Sequence, residues 1–136
     1  MRMSCTALVG LVVALAPMAT AQTAVLAGSE WRFLELSGHS LPHGTQLVVQ
    51  FGGEGKFSGH GGCNRFFGTY KVFGTNVTIG QVGVTRMSCP KPVMELETGL
   101  LSALTAARSF QRNRTELVLF DVNGHTIARL RQTDWD

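Results

Sequence analysis

The sequence has no apolar run long enough to cross a bilayer as a helix; its longest, Ala7–Ala16, has the length of a signal-peptide core. Charge is also sparse, at 15% of residues, and the small excess of +3 is scattered. That excludes the basic face a nucleic-acid binder needs. There is no low-complexity segment and no internal repeat, which excludes disordered and solenoid classes. Cysteine is scarce, with three in the chain, and beyond Cys5 only Cys63 and Cys89 remain. Their separation of 26 residues excludes a CxxC redox or zinc pair. Also missing are GxSxG, HExxH, the P-loop and the dinucleotide fingerprint. The expectation is a protein that is not an enzyme and holds neither cofactor nor metal.

What is present begins with an export signal. Arg2 supplies a short positive region, Ala7–Ala16 the apolar core, and Pro17 its break. Ala19-Thr20-Ala21 puts small residues at the two positions a signal peptidase reads. Residues 1–21 are therefore expected to leave, with Gln22 as the mature N-terminus and 22–136 as one domain. An uncleaved anchor is the alternative. Cys5 precedes the apolar run, whereas a lipidated cysteine follows one, so the mature protein is expected to be unlipidated, in the periplasm or secreted. In an oxidising compartment two cysteines are an even set. A Cys63–Cys89 disulfide would contribute about 3–4 kcal/mol by the chain-entropy estimate. Two buried free thiols are the other reading.

The mature chain punctuates itself with glycine, sixteen in all. Strands are expected at Glu30–Leu36, Gln46–Phe51, from Lys56 to Gly59, Phe66–Val72, Val77–Ile79 and Gly83–Met87, with turns at Gly52–Gly55 and Gly74–Asn76. The period then changes. Val93, Leu96, Leu100, Leu104 and Ala107 fall on one helical face after Pro92. Glu95 and Glu97 towards the start of this helix and Arg108 at its end suit the helix dipole. Gly99 inside it marks either a close packing contact or a locally weak helix. Arg108, Arg112 and Arg114 read as a solvated loop, with an anion site as the alternative. Thr115–Phe120 and Thr126–Leu130 flank Asn123-Gly124, the strongest hairpin signal in the chain. Many strands, one helix and a closing hairpin imply an antiparallel α+β fold, the sheet curling round a core that the helix plugs or covers. Phe33, Leu47, Val49, Phe57, Phe67, Tyr70, Leu100 and Leu104 are expected to fill it.

The most unusual stretch is Gly59-His60-Gly61-Gly62-Cys63-Asn64-Arg65-Phe66-Phe67-Gly68-Thr69-Tyr70, answered by Thr85-Arg86-Met87-Ser88-Cys89-Pro90. Glycines before Cys63 and aromatics after it suit a strained corner running into a strand. Ser58-Gly59, Gly62-Cys63-Asn64-Arg65-Phe66 and Gly68-Thr69-Tyr70 resemble the central signature of the META domain family. Thr85-Arg86-Met87 with Cys89-Pro90 resembles that family's second motif. Met94-Glu95-Leu96-Glu97 followed by Leu100, Leu101 and Leu104 resembles its helix. The likeness runs from about Ser29 to Leu130. It implies a strongly curled antiparallel sheet, like a cracked β-barrel, with one α-helix. It also implies an envelope protein linked to heat stress or antibiotic resistance, and no catalytic residue. Gly59, Gly62, Asn64, Arg65, Phe66, Gly68, Tyr70, Thr85, Arg86, Met87 and Pro90 are then motif residues with structural roles.

Other chemistry is weaker. His39 and His43 are four apart, but Pro42 between them spoils the helical face a metal pair needs. His60 could approach Ser88 across a disulfide, without an identifiable carboxylate to complete a triad. Asn64 suits backbone hydrogen bonding in the corner, or a ligand contact. Two functions remain in view. One is an exported, stress-related envelope protein that binds a partner protein. The other is a small periplasmic carrier of an apolar ligand inside the curled sheet. The protein is expected to be monomeric.

Overall fold

The computed structural model describes residues 6–14 and 26–133. Arg2, Cys5, Pro17, Ala19–Ala21 and the Gln22 start lie outside the described residues. Residues 6–14 take no regular secondary structure and leave Leu8, Val9, Leu11 and Val12 exposed. Among the described residues no helix is long and apolar enough to cross a membrane.

The elements are β1 (Ser29–Leu36), β2 (His39–Ser40), β3 (Val48–Phe51), β4 (Lys56–His60), β5 (Arg65–Phe73), β6 (Asn76–Val84), α1 (Lys91–Ala106), β7 (Ser109–Asn113), β8 (Glu116–Phe120) and β9 (Thr126–Gln132). The strands follow one another in a single antiparallel sheet. β1 also pairs with β9, Trp31 opposite Gln132 and Phe33 opposite Leu130, so the sheet closes on itself. β2 is a two-residue flap on the end of β1. It is turned by Ser37 and Gly38, both at positive φ, as a tight hairpin of right-handed twist demands. The eight remaining strands form the barrel.

Period-two alternation decides what lies inside. Trp31, Phe33, Val49, Phe51, Phe57, Phe66, Tyr70, Val77, Phe110, Leu117, Leu119 and Leu130 are all buried and fill the interior. Phe67 was expected among them and is instead 56% exposed. Adjacent residues of a strand face opposite ways, so Phe66 and Phe67 cannot both point in. The inward set on β5 is Phe66, Gly68 and Tyr70. Gly68 has no room for a side chain: a Cβ there would lie 2.5 Å from the Gln81 carbonyl oxygen and 2.7 Å from Phe57 Cζ. Tyr70 donates its hydroxyl to the Gly52 carbonyl at 2.6 Å, and burial pushes its phenol above the usual range.

One seam is weak. β6 and β7 share a single residue pair, Asn76 opposite Ser109. Two backbone bonds flank it, Val77 N–H to Arg108 O and Phe110 N–H to Thr75 O, both 2.9 Å. The helix occupies this side. It spans 16 residues, about 24 Å, and returns the chain from the end of β6 to the seam. Leu100, Ala103 and Leu104 are its buried apolar residues. Arg108 donates to the Thr105 and Ala107 carbonyls at 2.9 and 2.8 Å, covering the orphan C-terminal acceptors. The acidic residues do something other than meet the dipole. Neither Glu95 nor Glu97 is in the first turn; Glu95 makes an exposed pair with Lys91 at 3.7 Å, and Glu97 turns inward. Nor is 108–114 a loop: Arg112 sits on β7 with its guanidinium 5.0 Å over the Trp31 ring, closing that part of the core.

Gly99 is exposed, and a Cβ on it would meet only Leu36 Cδ1, at 3.9 Å. Of the two explanations for it, close packing is therefore eliminated. Gly99→Ala is expected to stabilise the protein by roughly 0.5–1 kcal/mol, read as a higher urea midpoint at unchanged m-value.

Candidate functional site

The corner between β4 and β5 is where the two motif stretches meet the helix. The Gly61 N–H bonds to the Asn64 carbonyl at 2.9 Å, and Gly62 sits at φ +95°, a conformation side chains resist. A Cβ on Gly61 would stand 2.7 Å from Glu97 Cγ. The corner is thus pressed against the helix at a point where only glycine fits.

Asn64 is the hub. Its backbone N–H donates to Glu97 Oε1 at 2.5 Å, and its Nδ2 donates to Glu97 Oε2 at 2.8 Å and to the Met87 carbonyl at 3.2 Å. Its Oδ1 accepts from the Met87 N–H at 2.6 Å and from Thr85 Oγ1 at 3.0 Å. Thr85 Oγ1 accepts in turn from the Arg65 N–H at 3.1 Å. Every donor and lone pair of the side-chain amide is used. Against Met87 it makes the pair of bonds a peptide group would make, so it extends the pairing of β6 beyond Val84. Asn64 and Glu97 are both buried, and their polar atoms are satisfied by one another.

Cys63 and Cys89 are joined, S–S 1.99 Å and Cα–Cα 6.0 Å. The link lies beside the Asn64–Met87 pairing, so covalent and hydrogen-bonded ties hold the same two segments just before α1 begins. Replacing both cysteines by serine is expected to lower stability by about 2–5 kcal/mol while leaving the far-ultraviolet circular dichroism unchanged. The check is a urea melt of both proteins under non-reducing conditions.

The remaining motif residues take these places. Gly59 lies in β4; Arg65 opens β5 with its side chain exposed; Phe66 and Tyr70 are core; Thr85, Arg86 and Met87 form the extended segment after β6; Pro90 caps α1. Met87 is 60% exposed even though its backbone is held. The histidines are not brought together with Ser88. His60 Nδ1 accepts the Gly62 N–H at 3.1 Å. Its ring and that of His43 line a cleft of about 380 Å³ with Leu47, Val93 and Leu96. Ser88 lines a different groove, of about 560 Å³, between the 82–88 segment and the first half of α1. Met87, Met94, Val82, Val84 and Leu101 make its walls, with Asn64 and Glu97 behind them.

Sequence reasoning missed Glu97. The signal was available: Val93, Glu97, Leu100 and Leu104 follow helical spacing along one face. A carboxylate set into an apolar stripe implies a buried partner.

The profile of the META domain matches residues 24–134. No curated protein matches the chain in sequence. Among solved structures it resembles the solution structure of a protein from Burkholderia xenovorans, with TM-score 0.67 and 24% identity, covering 84% of this chain and 88% of that one. A second solution structure gives TM-score 0.63 at 22% identity, covering 84% and 95%. A crystal structure of a DUF4847 family protein from Bacteroides vulgatus gives 0.59 at 15%, covering 82% and 97%. At these identities the likeness is one of fold.

Proposed function

The chain belongs to the META domain family, and from that premise we propose that it is exported to the bacterial envelope and works there by binding a partner protein, with no catalytic step of its own. The observation that carries the reading is how the buried polar chemistry is used. Asn64, Thr85 and Glu97 commit their hydrogen bonds to one another and to the backbone, which fixes a corner and leaves no group poised for a substrate. A barrel interior occupied by Trp31, Phe33, Phe51 and Phe66 weighs against carriage of an apolar ligand inside it and leaves the outer grooves as binding surfaces. The apolar Ala7–Ala16 segment and the Cys63–Cys89 bond both suit export. A role in envelope stress accords with the family resemblance.

The test is expression of the full chain in a bacterium, followed by fractionation and intact-mass measurement. The expected species is periplasmic or secreted, starts at Gln22, and has no thiol that reacts after denaturation without reductant. Protein that keeps residues 1–21 and stays with the membrane would refute the export reading.

A further inference from the structure

We propose that the free backbone edge of β6, with the groove beside it, docks an extended segment of a partner protein, apolar at alternate positions and acidic at a flank. The inference rests on the reading that the protein acts by binding a protein partner, and it names the surface and the kind of segment that surface takes.

The argument starts from backbone direction. In an antiparallel ladder, alternate residues aim their N–H and C=O to the same side. Thr85 N–H bonds to the Arg65 carbonyl at 3.0 Å, so Thr85 faces β5 and Val84 faces away. The register Phe66–Val84, Phe67–Gly83, Gly68–Val82 then turns Val82 away as well. Beyond the bulge, Tyr70 gives its N–H to the Gly55 carbonyl on its other side, so its partner Ile79 also faces outward. Val77 faces outward too, and its N–H reaches the Arg108 carbonyl. Of these four outward residues only Val77 has a backbone partner there; Ile79, Val82 and Val84 have none among the described residues. β7 cannot supply one, because its single pairing with β6 is at Asn76.

Open edges are usually blunted with charge or proline. From Ile79 to Thr85 this edge carries neither. It forms one wall of the 560 Å³ groove, with Met87, Met94 and Leu101 opposite. Methionines adapt to side chains of varied shape. Two charged residues line the groove: Glu97 is buried and committed to Asn64, and Arg86 is exposed. The accessible charge is therefore positive, which complements an acidic flank. These are the components of strand addition: backbone bonds for affinity, side-chain pockets for selectivity. A single extended segment fits where a second copy does not. A second barrel pairing through its own β6 would bring its α1 along the same edge. A helix about 10 Å across cannot enter where strands must lie about 4.8 Å apart.

The test is amide hydrogen exchange by NMR on the disulfide-bonded protein. The probe is an acetylated octapeptide alternating valine and serine with glutamate at each end. In the free protein the Val82 and Val84 amides are expected to exchange about a hundredfold faster than that of Gly83. With peptide at about 1 mM they gain protection, and shift changes gather at 82–88 and Met94. One peptide N-methylated on valines and another on serines should differ about tenfold or more in affinity, since only one alternate set of amides faces β6. Met87→Lys and Arg86→Glu, both at exposed side chains, should each weaken binding several-fold to about tenfold with unchanged melts. The proposal is overturned by slow exchange at Val82 and Val84 in the free protein, by no added protection with peptide, or by equal binding of the two methylated peptides. Protection that grows with protein concentration alone would assign the edge to a second copy and overturn it as well. None of these failures touches export or partner binding elsewhere, which fail separately if the protein remains uncleaved in the membrane.

Discussion

Leu100→Asp is expected to leave the protein without a cooperative folded state at 25 °C. Leu100 is 0% exposed and sits midway along the buried stripe of α1. It is part of the same apolar core as Leu36, Leu104 and the barrel side chains, with no cation recorded beside it among the described residues. Removing the leucine alone costs about 2–5 kcal/mol by lost transfer and cavity. Placing an unpaired carboxylate in its stead adds a desolvation penalty of several kcal/mol more. A small domain holds about 5–15 kcal/mol in all, so the sum reaches the whole of it. The weak β6–β7 seam sharpens the effect. Where two strands share one residue pair, the helix covers what the sheet leaves open, and loosening the helix exposes the core at once. Leu100→Met, which keeps volume and polarity, should cost less than about 1.5 kcal/mol. Urea melts followed by tryptophan fluorescence separate the two outcomes, because Trp31 is fully buried in the folded state. A native-like melt for Leu100→Asp would mean that the helix face has been misassigned.

Much of this architecture was legible because it rests on local rules. The helix was expected from Pro92 to Ala107 and runs Lys91–Ala106, since a period of 3.6 and a proline in the first turn leave little choice. The β8–β9 hairpin was legible in Asn123-Gly124, with Gly124 at φ +80°. The sheet was expected to curl, and its closure through β1 and β9 pairs the first strand with the last, a contact no local pattern specifies. Strand β7 was lost among arginines because Arg112 reads as solvent-facing. Its guanidinium instead covers the Trp31 ring, a fact set by the partner strand and not by the residue. Phe67 was misplaced because hydrophobicity was allowed to outrank alternation. At the corner the motif residues were found, but their logic was hidden. Asn64 was read as a backbone-binding amide, and it is one; its strongest partner, Glu97, lies 33 residues away. Long-range polar pairs carry no periodic signal except the oddity of a charge in an apolar stripe.

That pair sets the second large effect. Asn64→Ala is expected to destabilise the protein by about 3–4 kcal/mol, more than a typical core truncation of that size. The substitution deletes no bulky apolar group. Its cost comes from what is left behind: the Met87 N–H loses its acceptor, the Met87 carbonyl and Glu97 Oε2 lose their donor, and Thr85 Oγ1 loses its acceptor. Each buried polar group left unpaired costs about 1–3 kcal/mol, discounted where water can reach it through the neighbouring groove. Asn64→Asp changes fewer atoms and should be worse at neutral pH. It sets a carboxylate oxygen where Nδ2 stood, 2.8 Å from Glu97 Oε2 and 3.2 Å from the Met87 carbonyl oxygen, so three acceptors face one another with no proton between them. Glu97→Gln combined with Asn64→Asp should recover part of the loss, because the new amide can donate to the new carboxylate. A four-corner double-mutant cycle measured by urea unfolding then gives a coupling of about 1–3 kcal/mol in favour of the swapped pair. A coupling near zero would mean that Asn64 holds the corner through Met87 and Thr85 alone, with Glu97 a bystander. A full-sized coupling together with an intact disulfide in every variant would show that the hydrogen-bonded tie and the Cys63–Cys89 bond stabilise the same junction by separate means.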